Sequence, residues 1–251
     1  MTEHRRIVVF GATGLIGARV VELLTEAGHV VVGASRRSGA DVVTGAGLDD
    51  AAAGAEVLVD VTNSPSFDDE PVLAFFTASS TNLVAAAKAA GVRHYVALSI
   101  VGVDGLPESG YMRAKMVQER TIANSGLPYT VVRATQFCEF TEAITGSLRA
   151  GDEFRVPDAR IKPVAAADVA AEVARAATAE PLGGTIDVGG PDTISFADMA
   201  RAVLAAQGSE AAVVVDPSAT YFGTPVDADS LVTGPGATLA PTRFADWLAH
   251  R

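Results

Sequence analysis

Short apolar runs alternate with amphipathic segments through the first 135 residues, and this alternation restricts the chain more than any other feature. Ile7 to Phe10, four apolar residues bounded by Gly11, reads as a buried strand. Arg19 to Ala27 carries Val20, Leu23, Leu24 and Ala27 on one side and stops at Gly28, which predicts a helix. The spacing continues with strands at His29–Gly33, Asp41–Val43, Val57–Val61, His94–Leu98 and Tyr129–Arg133. Helices are expected at Thr77–Ala90, stopped by Gly91, and at Tyr111–Ser125, closed by Gly126. Strands that are apolar throughout, taken in turn with helices, predict a parallel sheet covered on both faces.

Beyond residue 135 the pattern loosens. Helices are expected at Glu139–Ala150, Val164–Ala177, Ser195–Gln207 and Pro241–His250, and a strand at Thr185–Val188. Ser195 followed by Asp198 predicts a helix N-cap. Residues 216–242 are rich in Pro, Gly, Asp and Thr. We expect one domain over 1–251, with a regular strand-and-helix core at 1–135. Residues 136–251 would supply the remaining sheet elements and a small substrate lobe at the carboxyl ends of the strands, where open parallel sheets bind ligands.

Composition narrows the partners. The chain of 251 residues carries 30 acids against 19 bases, a net charge of -11, which argues against nucleic acid or an anionic membrane as the main partner. One cysteine, Cys138, excludes a disulfide framework, and the four histidines have no ligand spacing, so no metal site is expected. Mean hydropathy is positive (+0.28), but the best uncharged window, Pro71 to Ala87, is broken by Thr77, Ser79, Ser80, Thr81 and Asn82. Arg5-Arg6 followed by an uncharged run to Ala18 imitates a secretory signal. Its three glycines, and the helix and strand that follow at once, point instead to a cytoplasmic protein. A monomer or homodimer acting on a small molecule is expected.

Gly11-Ala12-Thr13-Gly14-Leu15-Ile16-Gly17 leaves the first strand and opens the first helix. Three glycines three apart allow a tight turn, close approach of backbone N–H groups to a pyrophosphate, and close packing of helix on strand. The helix N-terminus adds partial positive charge. The second strand then ends in Ser35-Arg36-Arg37, without the acid that would bond the ribose 2′-hydroxyl of NAD. Two guanidinium groups suit a 2′-phosphate, so NADP(H) is the expected cofactor.

Ser99 ends the fifth expected strand. Tyr111 and Lys115 share one face of the following helix as an i,i+4 pair. There the ammonium could lower the phenol's pKa and bond the cofactor ribose, while Ser99 holds a substrate carbonyl and Tyr111 gives it a proton. Thr62, Asn63, Ser64 and Thr135 follow strand ends and are further candidates for cofactor contact. Gln136 should border the substrate, and Phe67, Phe137, Phe140, Tyr221 and Phe222 could line an apolar pocket.

These motifs resemble the short-chain dehydrogenases/reductases, and within them the atypical NmrA-like branch. The likeness rests on the glycine loop, Ser35-Arg36-Arg37, Ala86 to Val92, Ala97-Leu98-Ser99, Tyr111 with Lys115, and Pro128 to Arg133. Pro163-Val164-Ala165 with Asp168-Val169-Ala170, and Gly189-Gly190-Pro191, extend it over nearly the whole chain. It implies a Rossmann-type doubly wound α/β fold and an NADPH-dependent oxidoreductase that reduces a carbonyl, quinone or enone. Many NmrA-like proteins lack the tyrosine; this chain keeps it, which favours a reductase over a cofactor-binding redox sensor. A third class, an NAD-dependent sugar-nucleotide epimerase or dehydratase, fits the arginine pair less well. Thr44 to Leu48 lacks the acid that often touches adenine in relatives.

Overall fold

A computed structural model describes residues 4–251. The elements in chain order are β1 (Arg6–Phe10), α1 (Leu15–Glu26), β2 (Val30–Ala34), α2 (Leu48–Ala52), β3 (Val57–Asp60), α3 (Asp69–Ala89), β4 (His94–Ile100), α4 (Gly110–Ala123), β5 (Tyr129–Ala134) and α5 (Thr141–Ser147). They continue with β6 (Arg149–Ala150), β7 (Glu153–Val156), β8 (Arg160–Ile161), α6 (Ala166–Thr178), β9 (Gly184–Gly189), β10 (Ile194–Ser195), α7 (Phe196–Ala206), β11 (Ala212–Val215), β12 (Thr238–Leu239) and α8 (Phe244–Ala249). Seven strands form one parallel sheet in the order β12-β9-β5-β4-β3-β1-β2. This is the doubly wound Rossmann arrangement expected from the alternation. The order reverses between β1 and β3, whose register pairs Phe10 with Asp60.

The apolar run of β1 is buried on both faces because each face of the sheet is covered. Ile7 and Val9 point to a cluster with Val20 and Leu24 of α1 and Val169 and Val173 of α6. Val8 and Phe10 point to the opposite cluster, with Leu83 and Ala87 of α3 and Ile122 of α4. A third cluster joins Met112 to Ile144, Val156, Ile161, Phe196, Met199 and Leu231, and so fastens the C-terminal lobe over the carboxyl ends of the strands. Fully burying a side chain of this size is worth about 1.5–3 kcal/mol, so the two sheet faces dominate the stability.

Several boundaries differ from the sequence reading. Asp41–Val43 is not a strand. Its backbone turns so that Gly45 N–H donates to Asp41 C=O (2.9 Å) and Asp41 Oδ1 accepts from Val43 N–H (2.8 Å). The Asn82 amide holds the Val42 and Val43 carbonyls at 3.0 and 2.9 Å, so these groups are spent on a side chain instead of a ladder. The edge strand on that side is therefore β2. α3 starts eight residues before Thr77, because Pro71 falls in its first turn, where a missing N–H costs nothing. At 21 residues α3 is long and apolar enough to span a membrane by composition alone, but one face is buried in the protein. The helix expected at Glu139–Ala150 is a 3-10 turn at Cys138–Phe140, then α5, then β6. β12, inside the Pro- and Gly-rich stretch, joins the main sheet beside β9. Ser195 does cap α7, accepting from Asp198 N–H at 3.0 Å.

His94, buried on β4, lies 2.9 Å by Nε2 from Thr130 Oγ1, and burial pulls its pKa down to about 4. A depressed native pKa means the unfolded chain binds the extra proton first. The contribution to stability is complete above about pH 6.5 and is lost as pH falls toward 4. Urea unfolding at pH 7 and pH 4 should show wild type losing about 3 kcal/mol more than His94→Gln. Equal losses would remove His94 from the acid response.

Candidate active site

The loop after β1 needs glycine at two positions for different reasons. Gly11 has φ +84°, and a Cβ there would stand 2.7 Å from the Val61 carbonyl at the end of β3. Gly17, in the first turns of α1, has ordinary backbone angles, but its Cβ would stand 2.1 Å from the Gly11 carbonyl. α1 therefore lies directly against the loop, with Gly14 at its N-cap and no side chain over its first N–H groups. Leu15 is exposed here, while Ile16 anchors the turn in the core. The bare helix end and its glycine cradle suit a pyrophosphate.

Beside it, Ser35, Arg36 and Arg37 with Thr13 line a cavity of about 240 Å³. Ser35 and Ser38 cap the 3-10 turn reciprocally, which sets the two arginines side by side. Among the described residues neither guanidinium has a carboxylate partner, and both are exposed. The donor set fits an anion.

Across the sheet, Tyr111 begins α4 and is half-buried. Its hydroxyl donates to Asn63 Oδ1 (3.3 Å), its ring lies 5.4 Å from exposed Phe67, and Phe76 meets it edge-on at 6.1 Å. These apolar neighbours push the phenol up to about 12. The expected lowering by Lys115 does not occur. An i,i+4 pair brings the two Cβ atoms together, but the long lysine stem turns inward. Its ammonium donates to Leu98 C=O (2.8 Å) and Gln118 Oε1 and lies 4.4 Å from the centre of the Phe76 ring. Burial lowers its pKa to about 8, opposed by Asp60 and Glu119.

The other candidates divide. Ser99 is buried at the end of β4, in register with Arg133, and its hydroxyl has no hydrogen-bond partner. Gln136 is buried beside Tyr221, and neither amide atom makes a well-formed hydrogen bond. Burial, with the facing Tyr111 phenol, pushes Tyr221 up. Tyr221 and Phe222 stack edge-on at 4.9 Å in a two-residue turn closed by the Tyr221 and Thr224 backbones. Phe222 has φ +47° there, the one non-glycine residue in the left-handed region among those described. Such backbone costs of order 1–3 kcal/mol and clusters at functional sites. Phe137 and Phe140 stack on each other at 5.6 Å, and Phe137 packs into the sheet core. Thr62 spends its hydroxyl and N–H on Asp60 at 2.7 and 3.1 Å, Ser64 Oγ accepts from Ser66 N–H, and Thr135 Oγ1 donates to Lys162 C=O. Those three side chains brace the loops. Cys138 is buried with its thiol pushed up to about 12, chiefly by burial. Asp168 accepts from Thr242 N–H and so ties the tail to α6.

Asp60, Tyr95 and Gln118 escaped the sequence reading. Asp60 stood inside an apolar run and Gln118 inside a helix, with no spacing rule to join them.

A family model described as NAD(P)H-binding matches residues 11–180. A (4-alkanoyl-5-oxo-2,5-dihydrofuran-3-yl)methyl phosphate reductase of Streptomyces griseus is 33% identical over 205 residues, covering 75% of this chain and 69% of that protein. An NAD(P)H azoreductase of Xenophilus azovorans is 28% identical over 221 residues, 80% of this chain and 74% of the relative. Among solved structures, MoeE5 in complex with UDP-glucose and NAD has a TM-score of 0.74 at 19% identity, over 97% of this chain and 96% of that one. That last likeness concerns the fold alone.

The close approach at Gly17 is the most demanding contact in this site. Gly17→Ala should lower the urea-unfolding free energy by about 1–3 kcal/mol through overpacking. Unchanged stability would mean that α1 can shift away from the loop without cost.

Proposed function

This chain belongs to the NAD(P)H-binding family and is an oxidoreductase, and from that premise we propose an NADPH-dependent reductase of a carbonyl, quinone or enone in a small, largely apolar molecule. The observation that carries the reading is the phenol of Tyr111. It stands at the carboxyl ends of the strands, its hydroxyl bonded to Asn63 and its ring beside exposed Phe67. A phenol so held is a general acid for an oxygen that gains electron density.

The residues divide the work by chemistry. The glycine loop and the N-terminus of α1 would hold the pyrophosphate, and Arg36 and Arg37 the 2′-phosphate. The reduced nicotinamide supplies a hydride when bound. Ser99 and Gln136 carry hydrogen-bonding capacity that the protein leaves unused, and a substrate oxygen would take it up. Phe67, Tyr221 and Phe222 would bound the apolar part of the substrate. The names of the Streptomyces and Xenophilus relatives, both reductases, support a small-molecule reduction.

Two measurements test the proposal. Arg36→Ala with Arg37→Ala should weaken NADPH at least about tenfold by titration and leave NADH nearly unchanged, since each charge-assisted bond is worth about 1.5 kcal/mol or more. Equal affinities for both cofactors in the wild type would defeat the NADP assignment. With a substrate found by screening quinones, enones and ketones, Tyr111→Phe should cut turnover about 10²–10⁴-fold at unchanged NADPH affinity. Near-normal turnover would remove Tyr111 as the acid.

A further inference from the structure

A chain of buried polar groups runs from β3 to α4 behind the site. Asp60 is fully buried. Its Oδ1 accepts from Thr62 N–H and Oγ1–H, and its Oδ2 accepts from the Tyr95 hydroxyl (3.1 Å) and from Gln118 Nε2 (2.7 Å). Gln118 turns its Oε1 to the Lys115 ammonium. The orientation of that amide follows from its neighbours. An ammonium can only donate and an ionised carboxylate can only accept, so the oxygen must face Lys115 and the nitrogen Asp60. The ammonium's remaining contacts are Leu98 C=O and the face of Phe76. The ammonium makes no hydrogen bond to Tyr111, whose hydroxyl is bonded to Asn63.

We infer that Asp60 is the counter-charge of Lys115, acting through the Gln118 amide, and that this relay holds the lysine in place in the free protein. Its consequence for turnover rests on the assignment of Lys115 to the reductase site; the charge coupling itself does not.

The surroundings leave no better partner. On its own helix Lys115 has Glu119, which is already bonded to Arg133 of β5, its Oε2 2.7 Å from Nη2. Arg133 also reaches Asp104 at 3.2 Å. Tyr111, also on α4, and Tyr95 of β4 are both held neutral by burial. The buried face of α3 carries no ionisable side chain. Asp60 thus lacks a cation of its own, and Lys115 lacks an anion of its own. Each charge alone would be costly to bury, and the glutamine joins them. Asp60 is a positioning residue in this scheme, since it reaches the site only through Gln118 and Lys115.

The chain has three lysines, Lys88, Lys115 and Lys162, so labelling lysine with ¹³C at Cε yields three signals to follow against pH in the whole protein. Lys115→Arg identifies the signal of interest by its loss. Removing the negative charge in Asp60→Asn should lower the Lys115 midpoint by about one pH unit or more, because burial then acts with less opposition. Gln118→Met breaks the relay but keeps Asp60, and should also lower it. Tyr111→Phe should leave it in place. Circular dichroism checks each fold; if Asp60→Asn does not fold, Gln118→Met decides. A Lys115 midpoint that stays put in the folded relay variants, or that moves equally in Tyr111→Phe, overturns the inference. A pH–rate profile separates this from the reductase reading. A shifted lysine signal with an unshifted profile supports the counter-charge and counts against Lys115 in catalysis.

Discussion

A carboxylate with no access to water sits at the carboxyl end of an interior strand, and the surroundings are arranged to satisfy it. Burying Asp60 without partners would cost far more than one apolar contact returns. Its donors come from the loop after β3, from β4 and from α4. The same four hydrogen bonds therefore fix how the Asn63 loop leaves the sheet and how α4 lies on it. Tyr111 stands one turn from Lys115 on that helix, so the position of the phenol depends on a charge buried deeper in the protein.

The site has two halves built by different forces. The half around Gly11 and Gly17 depends on the absence of side chains: backbone approaches backbone until no Cβ would fit. The half around Tyr111 and Tyr221 depends on bulk. Aromatic rings from the loop after β3, α4 and the 221–224 turn meet there, and burial pushes both phenols above their ordinary pKa. The third apolar cluster holds this second half together, because Met112 of α4 packs with Phe196 and Leu231 of the lobe.

Local signals were readable where a short segment is self-sufficient. The glycine loop, the arginine pair and the Ser195 cap each work within a few residues, and each has the local structure that its residue types require. The segment Asp41–Val43 was misread because two valines suggest a strand, while Asp41 and the distant Asn82 offered its backbone other partners. β12 was missed because two residues carry no period, and only the free edge of β9 makes them a strand.

The amino-acid order by itself determined the alternation of strand and helix, the glycine loop that opens α1, and a tyrosine and lysine on one helical face. All of these depend on spacing along the chain. The tertiary structure decided where the lysine points and what holds it. An ammonium on a long flexible stem takes the best buried acceptors within reach, and these come from Leu98, 17 positions away, and from Gln118, which is itself oriented by Asp60, 58 positions away. Gln118 is an i,i+3 neighbour of Lys115 on α4, but Leu98 and Asp60 are so distant in sequence that they leave no period or motif, because the crossovers of a parallel sheet bring them to that helix.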